Sequence, residues 1–197
     1  LNMVGTAIGG SNEAAIRKLV AMLPAFSGPA TASLIGRSER ADMLWAAYIN
    51  AASANIFDFD DTHVPTVIHP SAPVAPAVLA LAETLAAEGK PVTGSELIEA
   101  FVLGAEVTCR LGNALHPVHY ARGWHITSTC GAFGAALAAG RLLKLSPAQL
   151  VEALGHALAQ GAGSVETLGT MSKSLSVGRA ARAGLMSAVL AVQGYTG

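Results

Sequence analysis

Thr127-Ser-Thr-Cys-Gly-Ala-Phe-Gly-Ala-Ala-Leu-Ala-Ala-Gly-Arg-Leu-Leu143 is the run that decides the fold. It holds no proline and shows no alternation of polar and apolar residues, so it reads as a helix beginning near Thr127 or Ser128. Gly131, Gly134 and Gly140 each cost about 1 kcal/mol inside a helix. Close contact with neighbouring helices is what such a Gly/Ala surface allows in return.

Outward from this run the helical signals repeat. Ser146-Pro-Ala-Gln149 is a capping box with proline in the first turn and opens a helix to about Gln160, ended by Gly161 and Gly163. Thr93-Gly-Ser-Glu96 is a second capping box, and its helix should run to Leu111 with Gly112 as the stop. Further helices are expected over Asn12 to Leu23, Glu39 to Phe57, Ala75 to Ala87 and Arg179 to Gln193, with one short extended piece between Ala30 and Gly36. No paired strands, repeat or low-complexity linker interrupts them. The expected architecture is one all-α domain over residues 1–197.

Composition supports a packed core: 52% of the 197 residues are hydrophobic and only 5% aromatic, which makes Ala, Leu, Val and Ile its material. The uncharged apolar runs Met43–Phe57 and Ala183–Gly197 fall short of the roughly 20 residues that span a bilayer, so no membrane segment is expected. Cys109 and Cys130, the only cysteines, form neither a C-x-x-C pair nor a disulfide scaffold, which fits a reducing, cytoplasmic setting. The net charge of -1 leaves no basic footprint for nucleic acid. Residues 111–197 nevertheless carry six Lys/Arg against two Asp/Glu, which favours a small anionic ligand. Because the chain opens at Leu1 without a methionine, it is expected to be a fragment or a processed piece lacking an amino-terminal part.

Three polar loops at helix ends gather the chemistry. The first is Asp58-Phe-Asp-Asp-Thr-His-Val-Pro-Thr-Val-Ile-His-Pro70, with three carboxylates and two imidazoles in thirteen residues; Pro65 and Pro70 exclude a regular helix through it. The others are His116 to Thr129 and Glu166 to Arg179. Asp58, Asp60 and Asp61 are candidate bases, histidine orienters or Mg2+ ligands, but no second acidic cluster completes a metal shell, so no metal is expected. His125 is a candidate general acid or base, since imidazole titrates near pH 6.5. Lys173 is a candidate cation for a carboxylate or an enolate-like charge, and Arg122, Arg179 and Arg182 lie beside the same loops. The plain alternatives are turn capping for the aspartates, a structural histidine, and solvated surface cations.

Read together, Asp58-Phe-Asp-Asp-Thr-His63 with His69-Pro-Ser71, Gly123-Trp-His-Ile-Thr-Ser-Thr-Cys-Gly-Ala-Phe-Gly134, and Met171-Ser-Lys-Ser-Leu-Ser-Val-Gly-Arg-Ala-Ala181 resemble the MmgE/PrpD family over the whole chain. The resemblance implies a helical domain truncated at both ends and without the family's smaller α+β lid, and a cofactor-independent enzyme acting beside carboxylates, homodimeric at full length. It implies a lyase or epimerase of a small polycarboxylate: 2-methylcitrate dehydratase first, as the namesake activity, with cis-aconitate decarboxylase or iminodisuccinate epimerase as alternatives. A non-catalytic helical assembly or binding domain is the alternative of another class. The implied catalytic residues are Asp58, His69, His125 and Lys173, and the implied substrate-binding residues are Thr62, Arg122, Thr127 and Arg179. The chain departs from the family pattern at Ile126, where proline is usual, and at Ser176, where histidine is common.

Overall fold

Ten α-helices and one small ribbon, described over residues 1–197 by a computed structural model, make up the chain. In order they are α1 (Asn2–Gly10), α2 (Ala14–Val20), α3 (Leu23–Phe26), β1 (Ala32–Ser33), β2 (Arg40–Ala41), α4 (Met43–Asn55), α5 (Ser71–Ala87), α6 (Gly94–Leu115), α7 (Val118–Ala121), α8 (Ile126–Leu142), α9 (Pro147–Ala159) and α10 (Met171–Val192). The all-α expectation holds. The extended piece is two residues long and pairs antiparallel, Ala32 with Ala41 and Ser33 with Arg40.

Helix α4 is enclosed nearly all round: eleven of its thirteen residues are buried, between α1, α5 and α10. Asp42 starts it by accepting the Leu44 and Trp45 N–H groups at 2.9 and 3.0 Å. Helix α8 is the second enclosed element, packed by α10, α6, α5 and α9. Its glycines explain how. A Cβ at Gly134 would lie 2.0 Å from Thr108 Oγ1 and 2.5 Å from the Gly104 carbonyl oxygen, so α6 and α8 cross at backbone contact. Gly184 of α10 meets the Ala132 carbonyl of α8 in the same way. Gly134→Ala is therefore expected to cost about 2 kcal/mol of stability, read as a lowered urea midpoint at unchanged slope. A wild-type midpoint would show that the crossing has slack.

Several boundaries differ from the sequence reading for identifiable reasons. Helix α1 was not anticipated, although Met3, Ala7 and Gly10 all bury on one side of it. The expected Asn12–Leu23 helix breaks into α2 and α3, with Pro24 in the first turn of α3. Helix α5 begins at Ser71 rather than Ala75. Pro73 occupies a first-turn position where no N–H is needed, and only Pro76 forfeits a bond. Gly112 does not stop α6; its missing side chain admits Ile68, whose Cδ1 would be 2.3 Å from a Cβ there. Helix α10 starts at Met171, eight residues early, because the Thr170 hydroxyl caps the Ser172 N–H. Its 22 residues are long and apolar enough to cross a membrane, but 61% of the most apolar window is buried inside the fold. That burial accounts for its composition.

Candidate active site

Asp60 is an aspartate sunk to 3% exposure, and Asn55 at the end of α4 donates to both its oxygens, at 3.2 and 3.0 Å. The following loop folds back on itself. His63 N–H donates to the Ile68 carbonyl at 2.7 Å, and Ile68 is buried in a small cluster with Ile126 and Cys130. Val67 takes φ 57° in this turn, a conformation β-branched residues rarely adopt. Asp61 finishes the loop by accepting from the Ser71 hydroxyl at 2.8 Å and its N–H at 3.3 Å, which starts α5. Burial, with the neighbouring Asp60 charge, pushes the Asp61 carboxyl up despite those two bonds.

This fold-back delivers His69 between two carboxylates. Its Nε2 lies 3.0 Å from Asp58 Oδ1 and its Nδ1 3.2 Å from Asp60 Oδ1, while its backbone N–H is held by Thr127 Oγ1 at 3.1 Å. Burial opposes a charge on the ring, but the hydrogen bond to Asp60 and the charges of Asp60 and Asp58 overcome it and raise its pKa. Two N–H donors facing two carboxylates describe an imidazolium. Asp58 also receives the Lys173 ammonium from the first turn of α10, 115 positions away. Burial would raise the Asp58 carboxyl, yet Lys173 and His69 hold it below its usual range.

His125, the N-cap residue of α8, has the opposite character. It is 4% exposed, and burial, reinforced by the Lys173 and His69 cations, lowers its pKa to about 4. The hydroxyls beside it fix its tautomer. Ser176 Oγ spends its proton on the Lys173 carbonyl at 2.7 Å, so the 2.7 Å contact between Ser128 and Ser176 has Ser128 as donor. Ser128 then has no proton left for the ring, and the 2.7 Å contact to His125 must run from Nδ1–H. The Nε2 lone pair is left free. One imidazole is thus a charged acid and the other a neutral base, the separation of pKa values that marks acid–base pairs.

His69 and Lys173 therefore each meet Asp58, and His125 connects to the Lys173 backbone carbonyl through Ser128 and Ser176; of these four residues, Asp58 and Lys173 line a groove and the two imidazoles lie behind it. Asp58 keeps 59% of its side chain exposed and lines, with Lys173, Phe57 and Thr170, a groove of about 360 Å³. Thr62 stays beside the cluster, its hydroxyl 3.3 Å from His69 Nδ1. Three of the expected substrate contacts lie away from this groove. Thr127 is fully buried and braces His69 rather than facing the groove. Arg122 is exposed at the end of α7, with no side-chain partner in the cluster. Arg179 donates to the Gln160 and Ala162 carbonyls and so secures the segment whose Gly163 carbonyl receives the His125 N–H at 3.0 Å. Lys173 stands on a helix, not in a loop.

The donor atoms of Asp58, Asp60 and His69 lie within 4.8 Å of one another, a spacing that a cation can bridge. The charges already balance inside the protein, however. His69 turns one nitrogen to each carboxylate, Lys173 covers Asp58 and Asn55 covers Asp60, so an ion would first have to displace these groups. Of these cations, Lys173 is the one that lines the groove.

The comparisons with known proteins converge on this same sequence. Cis-aconitate decarboxylase of Aspergillus terreus is 36% identical over 180 residues, which is 90% of this chain and 37% of that protein. The Homo sapiens cis-aconitate decarboxylase is 36% identical over 78% of the chain and 32% of its own length, and the Mus musculus one 31% over 100% and 40%. The chain thus spans about two fifths or less of these relatives. The MmgE/PrpD N-terminal domain matches residues 1–197 throughout, and it is to the MmgE/PrpD family that the chain belongs.

Proposed function

We propose that the full-length protein is a lyase of a small polycarboxylate, and that this chain carries its proton-transfer groups. The observation behind this reading is a pair of buried imidazoles in opposite settings: His69 set between Asp58 and Asp60, which raise its pKa, and His125 held through Nδ1 by Ser128, with burial lowering its pKa to about 4. A substrate carboxylate sits against Lys173 and His69. His125 Nε2 exchanges a proton with the carbon next to that carboxylate, and the cations stabilise the enolate-like charge that forms.

The decarboxylase names of the relatives move cis-aconitate ahead of 2-methylcitrate as the first substrate to test. In that reaction His125 Nε2, having taken a proton from water, adds it to an alkene carbon, the C–C bond to a carboxylate breaks, CO2 leaves, and its bonding pair forms the new double bond. The groups could equally remove a proton and protonate a departing hydroxyl, which is the dehydratase chemistry. The test is a substrate panel on the full-length protein: CO2 release from cis-aconitate, water loss from 2-methylcitrate and epimerisation of iminodisuccinate. The expected result is a kcat/KM for cis-aconitate at least tenfold above the others. Preference for 2-methylcitrate would keep the lyase and replace the substrate, whereas no turnover of any of the three would sink the reading.

A further inference from the structure

On the far side of α10 lies a second concentration of polar groups. Arg182 follows Lys173 by nine residues, half a revolution round the helix and about 13 Å along it. With Arg179, Tyr48 and Gln160 it lines a cavity of about 390 Å³ that shares no residue with the groove at Asp58.

The donors here outnumber their partners. The Arg182 guanidinium lies 5.3 Å from the Trp45 ring centroid, a cation–π contact that holds it in place, and it makes no ion pair. Arg179 spends two of its five N–H donors on the Gln160 and Ala162 carbonyls. Burial lowers its pKa, which is the cost of keeping a guanidinium out of water without a counter-charge. Tyr48 is only 8% exposed, its hydroxyl has no protein partner, and burial pushes its pKa up, so the phenol remains a donor. No carboxylate lines the cavity. Two guanidinium groups and a phenol with free N–H and O–H donors, set in a concave site with no negative charge, are the complement of a tetrahedral or planar oxyanion.

We propose that the Tyr48–Arg179–Arg182 cavity is a binding site for a small dianionic oxyanion of the phosphate type, separate from the site at Asp58, His69 and Lys173. The planar guanidinium edges supply paired N–H donors, and the Tyr48 hydroxyl supplies one from α4. The ion would neutralise both arginines where residues 1–197 line the cavity with no acid.

The test is calorimetric titration of the full-length protein with inorganic phosphate at constant ionic strength. One saturable phosphate per chain is expected at this site, with a Kd of about 1 mM or tighter. Arg182→Gln should weaken it at least tenfold. Tyr48→Phe, which keeps the ring and its packing, should weaken it about threefold. Lys173→Met should leave it unchanged. Absence of saturable binding, or wild-type affinity in both Arg182→Gln and Tyr48→Phe, would overturn the proposal. Loss of binding in Lys173→Met would overturn it by placing the phosphate in the other site. A lowered Tm or altered oligomeric state in Arg182→Gln, with no phosphate bound by the wild type, would overturn it in favour of a protein carboxylate filling the cavity.

Discussion

Replacing Lys173 by Met in the full-length protein is expected to lower kcat/KM at least a hundredfold, about 2.7 kcal/mol of transition-state stabilisation. The residue is 9% exposed and its ammonium meets Asp58 at the edge of the groove. A methionine of similar length keeps the packing and removes only the charge, so helix content should not change. Lys173→Arg should not restore the rate, because a planar fork cannot reproduce the compact ammonium that meets Asp58. Steady-state kinetics with cis-aconitate, alongside circular dichroism, decide the matter. A wild-type kcat/KM in Lys173→Met would reduce the lysine to a structural ion pair.

The second large effect is on stability in acid. His125 has a folded pKa of about 4 against an unfolded value near 6.5, so across that window the unfolded chain binds a proton that the native one refuses. Stability from this group is complete above pH 6.5 and is lost as the pH falls toward 4, by about 3 kcal/mol in all. His69 has the opposite sign. Its raised pKa contributes stability that is fully present below pH 6.5 and lost only as the pH rises through its folded value, so it is constant within the window. Asp58, held below the usual range, loses its contribution only as the pH falls below the ordinary carboxylate value, beneath most of the window. Asp61, held above it, gains stability as the pH falls, and does so equally in wild type and variant. Urea midpoints at pH 7 and 4.5 for the wild type and His125→Gln should therefore diverge, with the wild type losing the larger part of those 3 kcal/mol. Parallel losses would remove His125 as the cause.

Much of this site was legible before the fold was known, and the residues show why. Asp58, His69 and Lys173 could be picked out because a polar residue type in an apolar chain is visible in one dimension. Asp60 was read only as one of three neighbouring carboxylates; its burial under Asn55 and its grip on His69 depend on a turn closed by Ile68, which no local pattern encodes. Ser128 and Ser176 stand 48 positions apart, the one read as a possible helix start and the other only as a departure from the family pattern, yet they set the His125 tautomer. Arg179 and Thr127 lie off the Asp58 groove for a related reason. A motif shows that a residue is needed, and only packing shows whether it faces a ligand or a backbone carbonyl. For the fold, capping boxes at Thr93 and Ser146 gave their helix starts correctly, whereas the start of α10 was hidden by alternating serines that resemble a loop.

The alanine and glycine contacts that bring α4, α6, α8 and α10 together carry a further consequence. More than half of the 31 residues in the main core are alanine, a side chain with no rotamers to lose on folding. Ordering those alanines costs backbone entropy and almost nothing else. The same property removes any means of adjustment: a core of leucines can absorb an intruding methyl by switching side-chain torsions, but methyl groups and bare backbone cannot turn aside. The helices that carry Lys173 and His125 are thus fixed by main-chain contact, and their separation can change only if whole helices move.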